Sequence, residues 1–190
     1  MLDTMMNMDI RLESKRRSPT KLVALYPGAT ILDLTSKADA PWVRFSPFWP
    51  HGDIPVPASP GVVSASVEGA WQALKVFESA DVDPSKFAVT SMRGLKRSVR
   101  RFGRCLGHRE GVEGERLLGY LEARRAIYLP LYGFVLRERL REELAELRAL
   151  AEAGTVIVLD YETNADVDDP SKPLSHAALV IAWLRGAALK

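Results

Sequence analysis

Two hydrophobic periods alternate along this chain. Apolar runs at 22–26 and 155–159 read as strands, the first buried and stopped by Pro27-Gly28, and a second short strand is expected at 30–34. Three- and four-residue spacing predicts helices over 66–80, from Asp83-Pro84, and from Thr90 or Ser91, where Leu95, Val99, Phe102 and Leu106 form the inward stripe. Further helices are predicted over 112–128, from Pro130 to Gly154, and from Ser175 to Leu184. Between strands and helices, prolines at 41, 47, 50, 55, 57 and 60 forbid helix over 40–61, so this stretch reads as an ordered loop anchored by Trp42, Phe45, Phe48 and Trp49. Residues 1–19 show no sustained apolar period and read as a frayed leader, leaving 20–190 as the folded part. The expected fold is α+β: a single helix-rich domain with a few short strands.

The helix after Ser66 carries two different faces. Val67, Ala70, Leu74 and Phe77 make a core stripe, while Glu68, Trp71, Gln72 and Lys75 share another side. A large apolar ring among polar groups prefers to lie against something, so that side reads as the wall of a cleft. Glu68 also has a plainer role, because a carboxylate in a first helical turn complements the helix dipole.

Composition narrows the field without naming a function. The 190 residues are 47% hydrophobic and 26% charged, ordinary usage for one well-filled core, and the net charge of +2 hides local imbalances. Cys105 is the single cysteine, which excludes an intrachain disulfide and suggests a reducing, cytoplasmic setting. No apolar run is long enough to span a bilayer. No Cys-x-x-Cys occurs and His51, His108 and His176 are scattered, so no metal site is assigned and no cofactor is called for. Asp160, Glu162, Asn164, Asp166 and Asp168 alternate, but Ala165 and Ser171 stand where a calcium loop needs glycine and glutamate.

Phe45-Ser46-Pro47-Phe48-Trp49-Pro50, followed by Ser66-Val67-Glu68-Gly69-Ala70-Trp71-Gln72-Ala73-Leu74-Lys75, resembles the signature of the NADAR (YbiA-like) family. Pro47 stands in place of that family's asparagine, Gly69 in place of its histidine-like position, and its closing Trp-Gly is missing. Phe102-Gly103-Arg104 and the strand ending at Asp160 resemble later family elements. The resemblance implies a NADAR-like fold and an N-glycosidase that breaks a ribose C1′–N bond in a nucleotide-like or ADP-ribosylated substrate.

Chemistry points the same way, because breaking that bond builds positive charge on the sugar, which a nearby carboxylate can stabilise while activating water. Glu68 is the first candidate and Asp160 the second. Phe48, Trp49 and Trp71 are candidates for stacking on a planar base, with Gln72 and Lys75 at its polar edge. Arg97, Arg101 and Arg104 are candidates for phosphate contacts. Two alternatives stand beside the enzyme: a nucleic-acid-binding module using the basic 93–109 segment with exposed aromatics, and an inactive nucleotide or ADP-ribose binder.

Overall fold

The structure, a computed structural model, describes residues 8–189. In chain order its first half runs β1 (Ile10–Ser14), α1 (Pro19–Leu25), β2 (Thr30–Asp33), β3 (Ile54–Pro55), β4 (Val63–Ser64), α2 (Val67–Ala73), β5 (Lys75–Phe77) and α3 (Val99–Phe102). Then follow β6 (Cys105–Arg109), β7 (Leu117–Leu118), α4 (Tyr120–Ala123), α5 (Leu129–Glu138), α6 (Arg141–Ala153), β8 (Val156–Asp160) and α7 (His176–Leu184). The chain is a single domain of mixed helix and strand.

Every residue of β8 is buried, which suits the centre of a parallel sheet covered on both faces. Its neighbours are β1 and β2, both parallel to it, in the order β1-β8-β2. Val156 and Val158 face the main core, with Leu131 and Val135 of α5, Leu147 of α6 and Val180 of α7. The opposite face, Ile157 and Leu159, is covered mainly by Leu22 of α1. A second antiparallel sheet, β5-β6-β7, and the two-stranded β3-β4 pair complete the frame.

Several expectations are overturned. Residues 10–14 are not part of a leader: they form β1, in register with β8 from Ile10↔Val156 to Ser14↔Asp160. The first seven residues of the expected leader lie outside the described residues. The run at 22–26 belongs to helix α1, because Ser18 caps it by accepting from the Lys21 amide and Pro19 occupies its first turn. Only Leu22 is buried there, and Val23 and Leu25 face outward.

The helix expected over 66–80 ends at Ala73, and the chain continues as β5, so Phe77 reaches the interior from a strand. The helix expected from 90 shrinks to α3, four residues long, because Gly103 takes φ +79° and residues 105–109 turn into β6. Val99 is 64% exposed, so the proposed inward stripe does not exist. The helix expected over 112–128 resolves into β7, α4 and a π-helical turn at Arg124–Tyr128. The next is broken at Arg139-Leu140 into α5 and α6. Other expectations hold: strands at β2 and β8, the start of α2 at its Ser66 cap, and α7 with Ser175 as its cap, its hydroxyl accepting from Ala178 N–H.

Candidate active site

A cleft of about 470 Å³ opens at the carboxyl ends of β2 and β8, where ligands commonly lodge in open parallel sheets. Helix α2 forms one wall. Ser66 accepts from Gly69 N–H at 2.9 Å, and the next free amide, Glu68 N–H, donates to Pro47 O at 2.8 Å. The proline-rich approach segment is thereby fastened to the start of α2, and Tyr132 Oη holds its other end by donating to Phe45 O at 2.7 Å. Glu68, Trp71, Gln72 and Lys75 all line the cleft, as does Phe48. The face with mixed chemistry is therefore the cleft face, while Val67, Ala70 and Leu74 pack in the core.

Glu68 is 8% exposed, and Gln72 Nε2 donates to its Oε1 at 2.8 Å. Among the described residues no donor reaches Oε2. Burial raises the pKa of this carboxyl, an effect that the Gln72 bond and the charges of Lys75 and Lys96 offset only in part. Lys75 is displaced the opposite way: burial lowers its pKa, and Glu68 restores part of the loss. In both side chains burial makes the charged form less favourable than in an ordinary exposed group, and each charge partly supports the other.

Asp160, across the cleft, is in a different state. Its Oδ1 accepts from Tyr161 N–H at 2.7 Å, and its Oδ2 from Ser175 Oγ at 2.7 Å, His176 Nδ1 at 3.0 Å and Ala177 N–H at 3.4 Å. Burial would raise this carboxyl, but the bond and charge of His176, with Ser175 and Ala177, bring its pKa below the usual value. His176 Nε2 lies 2.8 Å from Leu34 O, which can only accept. Both ring nitrogens thus face acceptors, an arrangement that favours the doubly protonated ring. Burial opposes that charge, but Asp160 outweighs it and raises the histidine.

Aromatic rings close the remaining sides. Trp71 lies edge-on to Tyr128 (5.7 Å between centroids) and Tyr120 (6.2 Å), and both tyrosines line the cleft. Behind Trp71, the His108 ring sits 3.8 Å away, and burial holds its pKa down at about 3, so it is neutral. Tyr128 comes from the π-helical turn, a feature frequent at functional sites. Arg124, in the same turn, is buried and donates to the carbonyls of Val167, Asp169 and Lys172 at 2.7–3.0 Å, fixing the loop that carries Pro173 and Leu174 over the cleft.

Three expected phosphate ligands are not arranged as such. Arg97 lines the cleft, yet its guanidinium donates to Lys75 O, Asp81 O and Gln72 O at 2.6, 2.7 and 3.3 Å and lies over the rings of Phe77 and Phe102. It holds β5 in place. Arg101 and Arg104 lie outside the cleft lining; Arg101 packs over Phe102, and Arg104 sits 3.5 Å from Glu78. Arg101 lies within α3 on an exposed position, and Arg104 is exposed just past the turn at Gly103. Trp49 is half-buried and also outside the lining. Sequence reasoning missed Lys96, Tyr120, Arg124 and Tyr128 as cleft residues, and weighed His176 as one of three scattered histidines.

The alternating polar loop has a local explanation. Asn164, Asp166 and Asp169 side chains accept from backbone amides two residues on, at 2.8–2.9 Å, so they shape turns. Among the described residues no three His, Cys, Asp or Glu side chains group to hold a metal ion.

Fold and cleft together define a single-domain protein of mixed helix and strand, with a cleft at the end of a parallel sheet lined by aromatic rings and by charged groups of both signs. Among the described residues no helix is long and apolar enough to cross a membrane. Residues 14–180 match the family model described as a family of unknown function (DUF6939), and the chain belongs to that family. Searches of curated proteins and of solved structures return no significant match.

Proposed function

We propose that the protein is an N-glycosidase that hydrolyses the ribose C1′–N bond of a nucleotide-like or ADP-ribosylated substrate. The observation that carries this reading is the opposed surroundings of two carboxyls in one aromatic-lined cleft: Glu68 is buried with a single hydrogen bond, which pushes its pKa up, whereas Asp160 accepts four and pairs with His176, which brings its pKa down. Protonated Glu68 donates its proton to the leaving nitrogen as the C1′–N bond breaks and its electron pair departs with the base. The resulting carboxylate faces the positively charged sugar and takes a proton from the water whose oxygen bonds to C1′. The base leaves with its hydrogen, C1′ gains a hydroxyl, and Glu68 is protonated again.

Asp160 has a supporting role here, since its acceptor positions are already engaged. Phe48, Trp71 and Tyr128 supply the aromatic lining against which a planar base can lie, and Gln72 fixes Glu68 rather than the substrate. Lys75 and Lys96 are the cleft-wall cations whose side-chain nitrogens have neither a hydrogen bond nor an ion pair among the described residues, whereas Arg97 and Arg124 are held by carbonyls, so the lysines suit a phosphate on the substrate. The same reading makes the fold NADAR-like, supported by the contact between its two signature stretches through Glu68 N–H and Pro47 O. A cytoplasmic setting suits the lone, free Cys105.

The test is a product screen. Incubated with ribosylated nucleosides, NAD, ADP-ribose and ADP-ribosylated DNA, the protein releases a free base detectable by mass, and Glu68→Gln lowers the rate about 10²–10⁴-fold. The Gln72 bond survives because glutamine keeps an acceptor oxygen, so thermal stability is retained. A Glu68→Gln protein that releases base at the unmodified rate, or loses its folded transition, overturns the assignment.

A further inference from the structure

Between Asp83 and Glu110 the sequence contains eight lysines and arginines and no acidic residue. Four of these cations are engaged within the fold: Arg97 with backbone carbonyls, Arg109 with Asp81, Lys86 with Gly94 O, and Arg104 beside Glu78. The other four, Arg93, Lys96, Arg100 and Arg101, are exposed, and among the described residues their side chains have no hydrogen bond or ion pair. Lys96 is also part of the cleft wall and lies over the Phe48 ring, 5.6 Å from its centroid. Exposed charges of one sign repel one another, and no helix of useful length exists here whose formation they would assist.

We propose that this strip holds the phosphate backbone of a single-stranded nucleic acid while one of its nucleotides enters the cleft. The proposal rests on the glycosidase reading and narrows its substrate class from a free nucleotide to a strand-borne one. Unpaired cations on the segment that also supplies Lys96 to an aromatic-lined cleft of about 470 Å³ suit such a substrate, because a base stacked within a duplex cannot reach the cleft. Lys96 is the one of the four that lines the cleft.

The strip is tested by anisotropy with a fluorescein-labelled single-stranded oligonucleotide and the full chain. Four phosphate contacts give a slope of log affinity on log salt of about −2.8, roughly a 50-fold loss from 50 to 200 mM salt. The triple variant R93Q/R100Q/R101Q, at exposed positions outside the cleft, unfolds at the same temperature and leaves a slope near −0.7, with at least tenfold weaker binding at 50 mM. Failure to bind at 50 mM salt, or equal binding by the triple variant, overturns the proposal. So does equally tight, equally strip-dependent binding to phosphatidylserine vesicles, which makes the surface a membrane-binding one. Base release read in parallel separates the two claims. Release from free nucleotides without oligonucleotide binding sinks the strip alone, whereas strip-dependent binding without release from any substrate sinks the glycosidase reading alone.

Discussion

Replacing Asp160 by asparagine removes a charge at the point where β8, α7 and the end of β2 meet. The carboxylate accepts four hydrogen bonds and neutralises His176, which is itself tied to Leu34 O. An amide offers one acceptor oxygen. If that oxygen takes the Oδ2 position, Tyr161 N–H faces an NH₂ group; if it takes Oδ1, Ser175 and Ala177 do. In either pose His176 loses its counter-charge within a buried site. Breaking a buried, hydrogen-bonded ion pair from one side costs about 3–5 kcal/mol, which in a chain of this size lowers the melting temperature by about 6–20 °C.

The pH dependence adds a second readout. Asp160 has a depressed folded pKa, so its contribution is present above its ordinary value of 3.8 and lost as pH falls through the folded one. His176 has a raised folded pKa, so its contribution is complete below its ordinary 6.5 and lost as pH rises through the folded one. The gap between the unmodified protein and Asp160→Asn is therefore widest from about pH 4 to 6.5 and narrows on both sides. Calorimetry across pH checks this directly. A variant that melts within about 2 °C of the unmodified protein yet has lost base release refutes the anchoring role and returns Asp160 to the chemistry.

Three further outcomes follow from the same geometry. Glu68 works as an acid with a raised pKa, so base release is full at low pH and declines as pH rises through that value; Glu68→Gln gains stability relative to the unmodified protein over the same interval, because the strained ionised form is gone. A flat rate profile through neutral and alkaline pH counts against it. Arg97→Met leaves carbonyls of Gln72, Lys75 and Asp81 without their donor and costs about 3 kcal/mol or more, read as a lower urea midpoint; a phosphate-affinity defect with normal stability contradicts the bracing role. Gly69→Ala places a Cβ 2.8 Å from the Lys86 carbonyl oxygen and loses about 1–3 kcal/mol by overpacking, whereas an unchanged melting temperature means that the Pro84–Lys86 turn is free to retreat.

The Gly69 contact also gives a physical reason for glycine at this position: the Lys86 carbonyl passes so close to α2 that a larger side chain has no room.

What the sequence determined alone was local. Period and capping chemistry located β2, β8, α7 and the start of α2, and the mixed face of α2 announced a cleft because its neighbours in space are also near in sequence. The same logic failed wherever the outcome depended on partners far along the chain. Residues 10–14 have weak strand character, and they become β1 because β8 offers an unpaired edge roughly 145 residues away, as in the Ile10↔Val156 register. Residues 105–109 satisfy a helical spacing, yet pairing with β5 and the turn at Gly103 take them into a strand. The arginines show the difference most plainly. Their number was legible, but whether each would meet a carbonyl, a carboxylate or water depended on which strand lay beneath it, and only the packed chain could assign Arg97 to the interior and Arg101 to the surface.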